Sequence, residues 1–127
     1  MDWYIELYYF DLIKSDYKIS DNITHISIYS GKLKTLKINL PPNLKFLNAS
    51  ENKLVSFNCI LPQDLEYLDL SSNFILSFNY TLPPNLEELD ICLNRLKKLK
   101  LNYTPKKLNC DYLKNYKTCD KRHFYMK

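Results

Sequence analysis

Few side chains in this 127-residue chain could do chemistry. It has two histidines, His25 and His123, one glycine, Gly31, and four cysteines, Cys59, Cys92, Cys110 and Cys119. The cysteines show no C-x-x-C spacing and no paired histidines beside them, so free thiols are expected and a zinc site is not. Cys110 and Cys119 bracket a C-terminal segment and could bridge only in an oxidising compartment. Cys92 is expected on an exposed face, where acidic neighbours would oppose its thiolate and so its use as a nucleophile. Asp69 and Asp90 stand 21 residues apart. On adjacent strands such a pair could raise a pKa or hold a cation, but as surface acids both are simply solvated, and that is the reading preferred. A chain whose only glycine is Gly31 has no glycine-rich phosphate loop. No catalytic residue, cofactor or metal is expected, and the chain reads as a non-enzyme.

Charge offers a second kind of chemistry. Residues 1–94 hold seven Lys and Arg against twelve Asp and Glu, whereas residues 95–127 hold eleven against two. The basic end, RLKKLKLNYTPKKL and KTCDKRHFYMK, could meet phosphates through Lys97, Lys98, Lys100, Lys106 and Lys107 and stack bases on Tyr103 or Tyr112. A solvated, charged cap is the preferred reading, because no nucleic-acid-binding module is visible.

Positioning these groups falls to a repeat. LPPNLKFLNASENKL (40–54), LPQDLEYLDLSSNFI (61–75) and LPPNLEELDICLNRL (82–96) recur every 21 residues. Stacked at that interval, the chain gives aliphatic columns: Ile23, Leu44, Leu65 and Leu86; Ile5, Ile26, Leu47, Leu68 and Leu89; Leu7, Ile28, Ala49, Leu70 and Ile91. Three more follow in each unit: Leu12, Leu33, Leu54, Ile75 and Leu96; Ser15, Leu36, Phe57, Phe78 and Leu99; Ile19, Leu40, Leu61 and Leu82. One unit cannot bury its leucines alone. Stacking identical strands in a parallel sheet packs each column into a continuous core. A single domain follows, with a degenerate cap at 2–18, repeats at 19–39, 40–60, 61–81 and 82–102, and a C-terminal cap and basic tail at 103–127, where the register slips.

The unit L-x-x-L-x-L-x-x-N-x-L resembles the leucine-rich repeat family, and its L-P-x-x-L turn is similar to the short repeats of bacterial effectors. NITHISI (22–28) and FNCILPQDL (57–65) also look like the FNIP repeats reported from social amoebae and giant viruses. The resemblance implies an α/β-class solenoid that is mostly β in practice. Its right-handed coil would carry a concave parallel sheet of about five to six strands and an extended, polyproline-like or 3-10 convex side. It also implies that Asn52, Asn73 and Asn94 form a buried ladder bonded to the backbone of their own and adjacent turns, with Gly31 and Phe10 in their place in the earlier units.

In that family the outward strand positions bind partners. Here they are Tyr4, His25, Phe46, Tyr67 and Glu88; Glu6, Ser27, Asn48, Asp69 and Asp90; and Tyr8, Tyr29, Ser50, Ser71 and Cys92. Tyrosines suit strands anyway, but aromatic side chains also dominate binding hot spots. The expected function is a protein-protein interaction module, which analogy with the effector repeats makes host-directed. Tyr29, Phe46 and Tyr67 would be its anchors, and Asn48, Asp69 and Asp90 would give polar specificity. Nucleic-acid binding at the basic end and self-association through exposed strand edges are the alternatives. No 18-residue apolar run exists, and MDWYIELYYFDLIK carries acids where a signal peptide starts basic, so a monomer in the cytoplasm, of the host if viral, with no membrane partner is expected. The sequons at Asn22, Asn48, Asn79 and Asn102 are taken as chance in an Asn-rich chain.

Overall fold

Wherever leucines alternate with polar or aromatic residues, the chain extends and pairs. The computed structural model describes residues 2–8, 18–29 and 31–111, and the backbone of two short strands farther on. Strands β1 (Tyr4–Tyr8), β2 (His25–Tyr29), β3 (Phe46–Asn48), β4 (Tyr67–Asp69), β6 (Glu88–Asp90), β8 (Lys107–Cys110) and β10 (Tyr125–Met126) form one seven-stranded parallel sheet in that order. Tyr4 pairs with His25, His25 with Phe46, Phe46 with Tyr67 and Tyr67 with Glu88, each step one repeat along. The fold is a parallel β-solenoid of about five turns with no helix among the described residues. The sheet has seven strands where five to six are expected, because the slipped C-terminal segment still supplies β8 and β10.

The return side of the coil is more ordered than expected. Strands β5 (Ser77–Tyr80), β7 (Lys98–Leu101) and β9 (Lys117–Thr118) make a second parallel sheet. Phe78, Leu99 and Leu101 point inward while Ser77, Asn79, Lys98 and Lys100 face out, the period-two alternation that a half-buried strand needs. The Leu-Pro segments are tight turns. The carbonyls of Pro41, Pro62 and Pro83 accept the N–H of Leu44, Leu65 and Leu86, each at 3.2 Å. Pro42 and Pro84 occupy the first inner position of those turns, where their fixed φ belongs.

All the aliphatic columns within the described residues line the core; Phe10, Leu12 and Ser15 lie outside them. A further column, Ile38, Cys59, Tyr80 and Leu101, joins the core too. Its mixture of residue types hides it from a search for leucines. The Tyr80 hydroxyl meets its burial by donating to the carbonyls of Phe57 (2.7 Å) and Cys59 (3.0 Å).

The slip at the C-terminus has a definite location. Glu88 pairs with Lys107 and Leu89 with Leu108, an offset of 19 residues, and the missing two come out of the Leu-Pro turn. Pro105 stands in the Leu86 column, and the Tyr103 hydroxyl donates to the carbonyls of Pro83 and Leu86. Asn102 clasps Leu82, accepting its N–H at 2.7 Å and donating to its carbonyl at 3.3 Å.

Glu51, Ser72 and Leu93 each take a left-handed conformation, with φ of 57°, 56° and 56°, immediately before a ladder asparagine. Leucine carries a Cβ penalty of about 1–2 kcal/mol there, and Leu93, 65% exposed, recovers little through burial. Leu93→Asn should therefore stabilise the fold by about 0.5–1 kcal/mol, read as a higher urea midpoint at unchanged slope. A lower midpoint would contradict the assigned strain.

Candidate binding face of the large sheet

Each short strand of the large sheet buries its central leucine and so must present its first and third residues outward. Across strands the first positions stack. Tyr4 and His25 have ring centroids 4.2 Å apart, His25 and Phe46 5.5 Å, and Phe46 and Tyr67 4.4 Å with planes only 3° apart. Thr24 lies within 2.9 Å of His25 Nδ1 and also accepts the Trp3 N–H at 2.8 Å, so the ladder's second ring is held by the first turn. Tyr4, at the end, is 69% exposed, while His25, Phe46 and Tyr67 are half-buried by their neighbours. The stack stops where Glu88 takes the next position and pairs with Lys107 at 3.5 Å.

Tyr8 and Tyr29 form a separate tilted pair, centroids 6.1 Å apart, on the far side of Glu6 and Ser27. The aromatic residues named from the sequence therefore make two groups. Tyr8 also donates to Glu6 Oε2 at 2.9 Å.

The middle row does local work. A side-chain oxygen of Asn48, Asp69 and Asp90 accepts the N–H two residues on, from Ser50 (2.9 Å), Ser71 (2.9 Å) and Cys92 (3.2 Å), the Asx turn that bends the chain off the strand. Asp69 Oδ2 also accepts from the Tyr67 hydroxyl at 3.3 Å. Burial above all, reinforced by Asp69, Glu88 and Asp90, pushes the Tyr67 pKa well above the ordinary phenol value, so this ring stays neutral. Cys92 departs from expectation. It is buried and its thiol donates to Asp90 Oδ1, because the turn begun by Asp90 rolls it inward beside the last coil.

Behind this face stand the ladder asparagines. Asn73 Oδ1 accepts the Leu54 N–H at 3.0 Å, and its Nδ2 donates to the carbonyls of Ala49, Leu70 and Ser71 at 3.1, 3.0 and 3.2 Å. Asn94 repeats this with Ile75, Leu70, Ile91 and Cys92. Asn52 accepts from Gly31 and donates to Ala49 and Ser50. Each amide ties two coils together.

Among the described residues no cluster of three or more His, Cys, Asp or Glu is placed to hold a metal ion, and no helix is long and apolar enough to cross a membrane. Two lysines of the basic end turn back onto the acidic strands, Lys106 to Glu87 at 3.6 Å and Lys107 to Glu88. Tyr112, Cys119 and His123 lie outside the described residues, as does much of the basic tail.

Folding also redistributes charge in a way the linear reading misses. In the four repeats from 19 to 102, the stretches from the ladder position to the end of the unit, 31–39, 52–60, 73–81 and 94–102, carry eight Lys or Arg and no acid. The complementary stretches 19–30, 40–51, 61–72 and 82–93 carry eight acids and only Lys45. What reads as a division between chain ends is, within the coils, a division between opposite sides. Projecting charge on the 21-residue period, as was done for leucine, is the signal that would have found it.

No family model, curated protein or solved structure matches this chain. Function must be argued from the faces themselves.

Proposed function

We propose that the outer face of the seven-stranded sheet binds another protein, and that the chain is a non-catalytic module of leucine-rich repeat type. One observation carries this reading: the continuous ring ladder from Tyr4 to Tyr67, half-exposed and bordered by Asp69 and Asp90. Aligned aromatic faces offer large contact area already fixed in place, so a partner meets them at low entropic cost. The Asn48, Asp69 and Asp90 oxygens border them with acceptors for a partner's donors. The turn chemistry L-P-x-x-L and the asparagine ladder support the repeat type, and by analogy a host-directed adaptor working in the host cytoplasm.

The test compares immobilised wild type with a triple variant, Tyr29→Ala, Phe46→Ala and Tyr67→Ala, in cell lysate at physiological salt, after circular dichroism shows both folded. A protein held by wild type and lost from the variant is the expected result, since central aromatic anchors contribute about 2 kcal/mol or more each. Equal retention by both would remove the sheet face as the site.

A further inference from the structure

We propose that the side of the coil facing away from the large sheet docks on an anionic membrane surface. The geometry comes from two exposed rows. Lys53, Phe74 and Arg95 form one, and Lys34, Val55, Leu76 and Lys97 the other, while Leu54 and Ile75 between them point into the core. Backbone bonds fix the rows in step: Val55 N–H to the Lys34 carbonyl (3.2 Å), Leu76 to Val55 (3.4 Å) and Lys97 to Leu76 (2.8 Å). Val55 is 47% exposed and Leu76 48%, and Phe74 beside them carries the Arg95 guanidinium 4.2 Å from its ring centre. The second sheet continues the surface with Lys98 and Lys100 facing out. The result is an apolar centre, Val55, Phe74 and Leu76, ringed by cations from stretches 31–39, 52–60, 73–81 and 94–102, which hold no acid.

Charge complementarity calls for an anionic partner, and the apolar centre selects among anions. Phosphates of a nucleic acid gain nothing from exposed valine and leucine, and Phe74, the exposed ring of this face among the described residues, is already covered by Arg95. Lys34, Lys53, Lys97, Lys98 and Lys100 make no ion pair with any described residue. Such unfixed cations suit a fluid surface that supplies charge density better than a shaped ligand that demands fixed geometry. An acidic leaflet supplies that charge, and its headgroup boundary takes up short aliphatic and aromatic side chains while lysine stems reach the phosphates. The expectation of no membrane partner rests on the missing apolar span, which peripheral docking does not require. Docked in this way, the ring ladder faces away from the lipid.

Flotation of the full chain with vesicles tests this, using phosphatidylcholine alone and phosphatidylcholine mixed with phosphatidylserine at physiological salt. Wild type should float with the mixed vesicles only. Lys53→Glu, Arg95→Glu and Lys97→Glu together should reduce partitioning more than about 100-fold, since each cation near the surface contributes roughly fivefold. Val55→Ser with Leu76→Ser, which leaves the charge unchanged, should reduce it about tenfold. All these positions are exposed, and circular dichroism checks that the variants fold. The sheet-face triple variant should float like wild type, so loss of the protein partner and loss of lipid binding are separable. Failure to float with phosphatidylserine vesicles would overturn the proposal, as would undiminished binding by the charge-reversed variant. Binding to poly(U) or polyglutamate without binding to vesicles would equally overturn it and assign the face to another polyanion.

Discussion

Asn73→Ala should lower the unfolding free energy by about 2–4 kcal/mol, the largest single-residue effect expected outside the leucine columns. The substitution removes one acceptor and two donors: the buried Leu54 N–H loses its partner, while the carbonyls of Ala49, Leu70 and Ser71 each lose one of two donors and keep Asn52, Asn94 and the Glu51 N–H respectively. The unpaired N–H costs about 1–3 kcal/mol, and losing the second donor at the three carbonyls adds about 1 kcal/mol more. Asn48→Ala is the matched control. That residue is half-exposed and its described bond is one acceptance from Ser50, so water can replace it at a cost of about 1 kcal/mol. Urea unfolding of the two variants decides the matter, and equal midpoints would contradict the division between seam and surface.

Alkaline pH should unfold the protein early. Burial raises the Cys59 thiol to about 11, only partly offset by a backbone hydrogen bond at Ile38. Burial, with Asp111, Cys92 and Asp90 adding to it, raises Cys110 to about 12. Tyr80 is pushed upward as well, by burial first and then by Cys59. In the unfolded chain a thiol titrates near about 8.5. Above that pH the folded state holds protons the unfolded state has lost, so stability falls with each further rise. The contribution of these thiols is complete below about pH 8.5 and disappears as pH climbs through 11 to 12. It amounts to roughly 3–5 kcal/mol per thiol at most. Melting temperature should hold level to about pH 8.5 and then drop steeply. Cys59→Ala should flatten that limb, judged by slope because the truncation itself costs some packing. A level profile to pH 10.5 would show the thiols to be less buried than their packing implies.

The leucine columns and the outward strand positions were legible because one period controls both. Twenty-one residues close one coil, and alternation within the strand separates inside from outside. The readings that failed were those where type and place part company. Tyr80 lies in none of the aliphatic columns and yet packs against the core, because two carbonyls receive its hydroxyl. Cys92 occupies an outward column and turns inward, because Asp90 accepts from both its N–H and its thiol. The second sheet was hidden because strand pairing is a property of neighbouring coils, and a proline-bounded segment read alone looks only extended. Charge was counted along the chain when it needed to be counted around the coil. Asn48, Asp69 and Asp90 were legible as outward acceptors, but their commitment to the next turn depends on a backbone bend that spacing does not announce.

Three of the bonds that join the coils, Lys45 to Thr24, Glu66 to Lys45 and Glu87 to Glu66, each reach back by one repeat. Length in this molecule is consequently quantised. A tandem copy of residues 61–81 would add one rung to the large sheet and another to the small one, with every core leucine still above its like. An insertion one residue shorter would rotate everything beyond it, exposing leucines and burying charge. The two-residue shortfall before β8 is accommodated because Asn102 and Tyr103 bond across the gap, so that coil is where the 21-residue quantum is broken and β10 still pairs beyond it.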